Sequence, residues 1–237
     1  QLQRTLIDTV SSNWIQQDPD SALAGINTLP GSQARTQAIS KAFRNLVHKD
    51  PGRIASLLDR LPASTRNGLL PGLIHPWVSK DFDSAKQWIT SQDNPYILEK
   101  GIPSLLSTWG HKAPEEAAAF LENSSHPLIQ NKNSFFSTLA GVWAASDPQA
   151  ALNWAQRLEH PGNRQAATNQ AYQHFASSDT DGAINHLSRI TDEDQRHSLV
   201  NSIAASLVHR DPEKNRRWLS SLPQNNRFQA ADTILSS

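Results

Sequence analysis

The sequence contains no cysteine and no methionine among its 237 residues. The lack of cysteine excludes disulfide frameworks, cysteine-ligated metal sites and thiol nucleophiles. A globular chain of this length buries roughly 70–75% of its unfolded surface, so it needs no such cross-links in order to fold. A chain that begins at Gln1 is expected to be part of a longer protein.

The charges are balanced, with 22 basic and 22 acidic side chains. This balance argues against a nucleic-acid binder, whose domain would be strongly basic. No apolar run reaches the roughly 18 residues of a membrane-spanning helix, so no membrane insertion is expected. Few lysines and many glutamines, asparagines and serines favour an exported bacterial protein, periplasmic or secreted, over the alternative of a cytoplasmic one.

The dipeptide Asp-Pro recurs along the chain, and related pairs fill the gaps between its copies. The seven pairs are Asp18-Pro19, Asp50-Pro51, Asp81-Phe82, Ala113-Pro114, Asp147-Pro148, Asp179-Thr180 and Asp211-Pro212. Their spacing is 31 to 34 residues throughout. A constant period of this length is typical of repeat architectures.

Large apolar residues keep a fixed distance from these pairs. Four residues before the Asp position stand Trp14, Leu46, Trp77, Trp109, Trp143, Phe175 and Leu207. Six residues after the Pro position stand Trp88, Phe120, Trp154 and Trp218. Because this frame places every tryptophan, we expect the tryptophans to form the core rather than a binding cage.

Each repeat is predicted to contain two helices. In the first, apolar residues recur in adjacent pairs every four residues, which is the stripe of an amphipathic helix, and period-two alternation is absent. The Asp-Pro pair then begins the second helix, since Asp caps the free N–H groups and Pro suits the first turn. Leu-Pro, as at Leu61-Pro62, ends it because the residue before Pro avoids the α region.

The expected fold is all-α, a right-handed α-solenoid of seven helical hairpins with a capping helix at the C-terminus. Such hairpins bury their apolar faces only by stacking on their neighbours, so residues 1–237 are predicted to form a single domain. The approximate repeats are 1–31, 32–63, 64–94, 95–126, 127–161, 162–192 and 193–223, followed by the cap at 224–237.

In period and paired helices the units resemble tetratricopeptide and HEAT repeats along essentially the whole chain. They lack the tetratricopeptide arrangement of Trp, Leu-Gly and Tyr, and are similar instead to a bacterial helical repeat with the pattern Trp-x3-Asp-Pro-x2-Ala-x2-Trp followed by Leu-Pro. The resemblance implies a scaffold or partner-binding role and carries no catalytic residues. A shared fold does not by itself imply a function.

Motifs for reaction chemistry are not found in the sequence. His48, His111 and His209 lie near the ends of first helices, where a cation interacts favourably with the helix dipole, so capping is favoured over metal ligation. There is no His-Glu-x-x-His, phosphate-binding loop or Gly-x-Ser-x-Gly. We therefore expect no catalytic residues, no metal site and no cofactor.

Arginines recur near the start of predicted first helices, where the helix dipole disfavours them. They are Arg35, Arg66, Arg164, Arg196 and Arg227. Our preferred interpretation is an internal ladder, in which each Arg reaches a carboxylate or the free carbonyls at the end of a neighbouring second helix. The alternative is an exposed basic stripe that binds an acidic ligand.

A row of polar positions on the first helices faces away from the apolar stripe. Within it, Pro71 and Pro76 predict a kink or a shortening of the third unit's first helix. In solenoids the first helices commonly line the concave face, so this row is the candidate binding surface, with mere solubility as the alternative. The candidate partner-binding residues are Lys41, Arg44, Asn45, His75, Ser104, Asn169, Gln173 and Asn201.

The function expected from these patterns is a non-enzymatic scaffold that binds a protein or peptide partner, without nucleic acid. One alternative is a helical-repeat enzyme, such as a HEAT-like DNA glycosylase or an α/α-toroid carbohydrate-active enzyme. Another is a purely structural spacer within a larger exported protein. The sequence defines neither the partner nor the oligomeric state.

Overall fold

The computed structural model describes residues 17, 18, 21, 22, 32–207 and 212–235. The chain divides into two compact units, Gln1–Thr108 and Trp109–Ser237. Within the described residues the secondary structure is entirely helical, and no strand is present. The all-α prediction is therefore confirmed. The first predicted repeat, with Trp14, lies almost wholly outside the described residues, and the single-domain assignment stays a prediction.

Fourteen α-helices are present in the described ranges. In the first unit they are α1 (Ser32–Lys49), α2 (Ile54–Asp59), α3 (Ala63–Lys80) and α4 (Phe82–Thr90), with a 3-10 turn at Pro51–Arg53. Helix α5 (Pro95–Lys112) spans the boundary between the units. The second unit contains α6 (Pro114–Asn123), α7 (Pro127–Asn131), α8 (Asn133–Ala144), α9 (Pro148–Arg157), α10 (Pro161–Ser178), α11 (Thr180–Leu187), α12 (Glu193–Leu207), α13 (Pro212–Ser221) and α14 (Gln224–Leu235).

The repeated aspartates cap helices as the sequence predicts. Asp81, Asp147 and Asp179 each accept a hydrogen bond from the backbone N–H three residues later, at 3.2, 2.9 and 2.8 Å. Asp18 accepts from Ser21 N in the same way. Asp50 is the exception, because its carboxylate makes no capping bond and lies 3.9 Å from the Arg53 guanidinium.

The first unit is organised around two tryptophans on packed helices. Helix α3 packs against α1 and α4, and α2 packs against α4. The rings of Trp77 and Trp88 are 5.6 Å apart, and both side chains are buried. The indole N–H of Trp88 donates a 2.8 Å hydrogen bond to the Asp59 carboxylate at the end of α2, which joins two successive second helices.

The second unit repeats this arrangement. Helices α8, α10, α12 and α14 pack one against the next, while α9 and α11 also contact the following long helix. Trp143 and Trp154 are buried with their rings 5.8 Å apart. The Trp154 indole N–H donates a 2.7 Å hydrogen bond to Glu122 near the end of α6. With Trp109 and Trp218 also buried, the expectation of core tryptophans is confirmed for all six in the described residues.

Three of the recurring arginines bind main-chain carbonyls at the end of the preceding short helix. Arg164 donates to Leu158 O at 2.8 Å, and Arg196 donates to Ile190 O. Arg227 donates to the carbonyls of Leu219, Ser220 and Leu222 at 3.0–3.1 Å. We call this contact the arginine clamp. It confirms the internal ladder for these three residues. The ladder is a wrong prediction for Arg66, whose Nε is buried without a hydrogen-bond partner in the described residues. The side chain of Arg35 lies outside the described part.

The prolines on the third unit's first helix do not shorten it. Helix α3 runs for 18 residues through Pro71 and Pro76, the same length as α1 and α10. Of the two predicted outcomes, the shortening is therefore wrong, and the kink stays a prediction. Each proline frees the carbonyl four residues earlier. Pro71 is exposed and Pro76 is half-buried, so both lie on the side of α3 that faces solvent. The carbonyls that they free belong to Asn67 and Gly72, on the same side, where water can take the role of the missing N–H donor.

Candidate functional site

Five of the eight predicted binding residues lie in the first unit, on the accessible side of its long helices. Arg44 and His75 are exposed, whereas Lys41, Asn45 and Ser104 are half-buried. Lys41, Arg44 and Asn45 share α1, which packs against the α3 helix that carries His75. Ser104 lies on α5.

The other three predicted residues come together in one groove of the second unit, formed by α10, α12 and α14. We call it the amide groove, and its volume is about 650 Å³. It is lined by Asn169, Gln173, Ser177, Ser198, Asn201, Ser202, Ala205, Ser206 and Thr233. Every lining side chain is an amide, a hydroxyl or a methyl group, so the groove is neutral and rich in hydrogen-bonding atoms.

Hydrogen bonds between α10 and α12 organise the amide groove. The Gln165 amide donates to Asn169 Oδ1 at 2.8 Å and to Ser198 Oγ at 3.3 Å, which ties the two helices together at its edge. Ser202 Oγ donates to the main-chain carbonyl of Ser198. Gln173 is exposed, and its amide forms no hydrogen bond to the part of the chain that the structure describes. It is therefore available to a ligand.

A second groove, with a volume of about 410 Å³, runs along the last turn of α5, α8 and α10. It is lined by His111, Ser137, Thr138, Gly141, Val142, Ala145, Gln170 and His174. Gly141 brings α8 close to α10, because a Cβ atom there would lie 3.0 Å from Gln170 Cγ and 3.4 Å from His174 Nε2. The two grooves share α10, so polar side chains continue from one to the next.

A third recess, which the sequence did not predict, lies beside the short helices α6 and α9. Its volume is about 580 Å³, and its lining includes Glu115, Asn153, Gln156 and Arg157 together with the edge of Trp143. The Arg157 guanidinium already donates to Asn153 O at 3.1 Å. The sequence signal for this recess was the pair of opposite charges formed by Glu115 at the start of α6 and Arg157 at the end of α9.

The pKa values of buried Tyr172 and half-buried His186 are shifted from the ordinary values of these groups. Burial raises the pKa of Tyr172 to about 12, against an opposing effect of the nearby Gln156 amide and with a smaller upward effect of Asp192. The Tyr172 hydroxyl forms no hydrogen bond within the described residues. Burial, and then the Arg189 charge, lowers the pKa of His186, whose ring lies 6.2 Å from that of Tyr172 and 5.9 Å from that of Phe175. Neither group lines one of the three grooves.

Within the described ranges, no three or more His, Asp or Glu side chains are close enough to hold a metal ion. In the same residues, no helix has the length and apolar content required to cross a membrane.

Comparison with known proteins yields no match for this chain among protein-family models, curated sequences or solved structures. The tetratricopeptide-like and HEAT-like resemblance therefore stands on the sequence pattern and on the packed helices alone.

Proposed function

We propose that this protein is a non-enzymatic helical-repeat scaffold, which binds a protein or peptide partner through the accessible face of its long helices. The observation that carries the proposal is the amide groove. Its lining offers donors and acceptors from amides and hydroxyls, and it contains no side chain that could act as a general acid or base at neutral pH. A surface of this kind suits recognition rather than proton transfer.

The supporting helices favour a preorganised surface. Asn169 and Gln173 belong to an 18-residue helix whose opposite side includes Ala171 and Tyr172, both 0% exposed. Side chains on packed helices are held more accurately than those on loops, which lowers the ordering cost of binding. The cluster is thus suited to bind a partner without rearranging the chain.

We further propose that the helices continue the architecture expected from the sequence, a right-handed α-solenoid of seven hairpins that ends in α14. The nearest-neighbour packing of α8, α10, α12 and α14 supports this, as does the recurring arginine clamp. In a solenoid each repeat contacts only its neighbours, so stability is roughly a sum over repeats and their interfaces.

Deleting one whole repeat tests the solenoid. Removing residues 162–193 joins Pro161 to Asp194 and keeps Arg196 in the position that Arg164 occupied. We expect a folded protein with a cooperative thermal transition and proportionally less helix by circular dichroism. A matched deletion of 162–177, half a repeat, should unfold the second unit. If both deletions unfold it equally, the helices form an undivided core and the solenoid is wrong.

Photo-crosslinking tests partner binding. A photoreactive residue would replace exposed Gln173 in the amide groove, and in the control it would replace exposed Asn185 on α11. After irradiation in an extract of the source organism, we expect a discrete adduct from position 173 and none from position 185. Equal labelling at both positions, or none at either, would contradict the proposed surface and favour the spacer role.

We also propose, from the few lysines and the many glutamines, asparagines and serines, that the protein lies outside the cytoplasm, in the periplasm or the medium. Fractionation of the source organism, followed by immunoblotting, would check this placement, and detection in the cytoplasm alone would contradict it.

A further inference from the structure

Hydrogen-bonding side chains occupy one repeat position on three successive long helices. Ser137 on α8, Asn169 on α10 and Asn201 on α12 are separated by 32 residues each. Helix α8 packs against α10, and α10 against α12. Ser137 lines the second groove, whereas Asn169 and Asn201 line the amide groove. The repeat therefore sets a regular row of polar groups across the helices.

The chemistry of this row matches a polypeptide main chain. A primary amide carries both donors and an acceptor, and each peptide unit offers one N–H and one C=O. Because Asn169 Oδ1 already accepts from Gln165, its Nδ2 group is the part that can donate to a ligand carbonyl. Gln173, one helical turn further along α10, adds a second amide on the same side of the groove.

The spacing of the row selects one backbone conformation. Packed helices lie about 8–10 Å apart. A polyproline II segment repeats every three residues, with a rise of about 3.1 Å per residue, which gives about 9.3 Å per turn. In an extended strand, equivalent groups recur every two residues, about 6.6–6.8 Å apart, which falls short of the helix spacing. Of these two conformations, the polyproline II repeat is the one whose period matches the usual distance between packed helices.

The lining also restricts the side chains of the ligand. The amide groove has no charged residue, so a ligand charge placed there would lose hydration without gaining a partner. Its lining contains no aromatic side chain either, unlike the grooves of domains that bind proline rings. The ligand features left for recognition are main-chain groups and uncharged polar side chains.

We propose that the row Ser137, Asn169 and Asn201, with Gln173, binds an uncharged peptide segment in the polyproline II conformation, advancing three residues for each helix crossed. Such a segment has no internal hydrogen bonds, so all of its N–H and C=O groups are available to the row. This inference rests on the partner-binding function proposed above and specifies the form of the partner.

The test uses the full chain and a fluorescent nonapeptide, (Pro-Gln-Gln)3, with blocked ends. We expect saturable binding by fluorescence anisotropy. Asn201→Leu and Gln173→Met keep the approximate side-chain size and remove the amide, and each should weaken binding about threefold to tenfold, since one net hydrogen bond is lost. Asn185→Leu on α11 is the matched control and should leave affinity unchanged. Circular dichroism confirms that each variant is folded.

Altered peptides test conformation, length and charge separately. (Gly-Gln-Gln)3 keeps the glutamines but loses the polyproline bias, and we expect it to bind at least several-fold more weakly. (Pro-Gln-Gln)2 spans two helices instead of three and should also bind more weakly. (Pro-Glu-Gln)3 carries three charges, and those that reach the amide groove find no charged partner there, so we expect it to bind more weakly.

The possible failures have different meanings. Equal binding of the proline and glycine peptides would overturn the polyproline II inference and leave the scaffold function standing. The same conclusion would follow if no peptide binds while position 173 still crosslinks to a partner. Equal affinities of Asn201→Leu and Asn185→Leu would also overturn it. The absence of both peptide binding and the specific crosslink would overturn the inference together with the proposed function.

Discussion

The hydrogen bond between Trp154 and Glu122 is a measurable link between successive short helices. Its Nε1–Oε1 distance is 2.7 Å, and the Trp154 side chain is only 3% exposed. Hydrogen bonds to charged groups contribute about 1.5–3 kcal/mol to stability. Because Glu122 itself is exposed and screened by water, we expect a coupling of about 1 kcal/mol.

A double-mutant cycle isolates this coupling. The variants Trp154→Phe, Glu122→Ala and the double mutant would be unfolded in urea, with ellipticity at 222 nm as the signal. Trp154→Phe alone also loses packing area, and the cycle subtracts that loss. The double mutant should be about 1 kcal/mol more stable than the sum of the single changes predicts. Strict additivity would refute the link.

Trp218 provides the matched control. It occupies the same repeat position as Trp154, but the position equivalent to Glu122 is Ser188, and the buried Trp218 indole N–H makes no hydrogen bond in the described residues. A cycle of Trp218→Phe with Ser188→Ala should show no coupling. Ser188→Glu should supply the missing acceptor and stabilise the protein by about 0.5–1 kcal/mol, an effect that Trp218→Phe should abolish.

Three further predictions concern the second unit. Trp143→Ala should lower the free energy of unfolding by about 3–5 kcal/mol, measured in urea, because it removes a 6%-exposed indole from the core. Arg164→Ala should cost about 1–2 kcal/mol, since it removes the bond to Leu158 O, and an unchanged melting temperature with lost partner binding would favour the basic-stripe alternative. Because the pKa of His186 is lowered in the folded state, the unfolded chain binds the proton more readily, and the free energy of unfolding should fall as the pH drops below about 6.5. Urea midpoints measured at pH 7.5 and 5.5 would show this fall. In His186→Phe this part of the pH dependence should be absent.

The helices and caps were predictable because their signals are local. Asp147 followed by Pro148 specifies a helix start within one turn, and the capping bond to Ala150 N is present at 2.9 Å. The shortening expected at Pro71 was wrong because the effect of a proline depends on the surroundings of the freed carbonyl, which a sequence does not show. The break at Lys132, between α7 and α8, was also missed. Lysine there replaces the arginine of the other copies, such as Arg164 and Arg196, which lie inside continuous helices.

The amide groove was predictable in part. Asn169, Gln173 and Asn201 were identified because they share a repeat phase, and helix packing then brings them together. The contribution of Thr233 on α14 was not foreseen, since α14 was considered only as a cap. The bonds of Trp88 and Trp154 to acidic residues of the preceding repeat were missed as well. The signal for these bonds was an acidic residue eight positions after the Pro position of one repeat, combined with a tryptophan six positions after the Pro position of the following repeat. Glu122 and Trp154 are one such pair.

The arginine clamp has a consequence for how such a chain can change over time. Every acceptor of Arg164, Arg196 and Arg227 is a main-chain oxygen, a group that each of the twenty amino acids supplies. The side chains at Leu158, Ile190 and Leu222 can therefore be exchanged for other apolar ones without loss of the joint. If the helices form the proposed solenoid, a duplicated repeat would find the same main-chain acceptors for its arginine, so the number of repeats could change while their outer surfaces diversify.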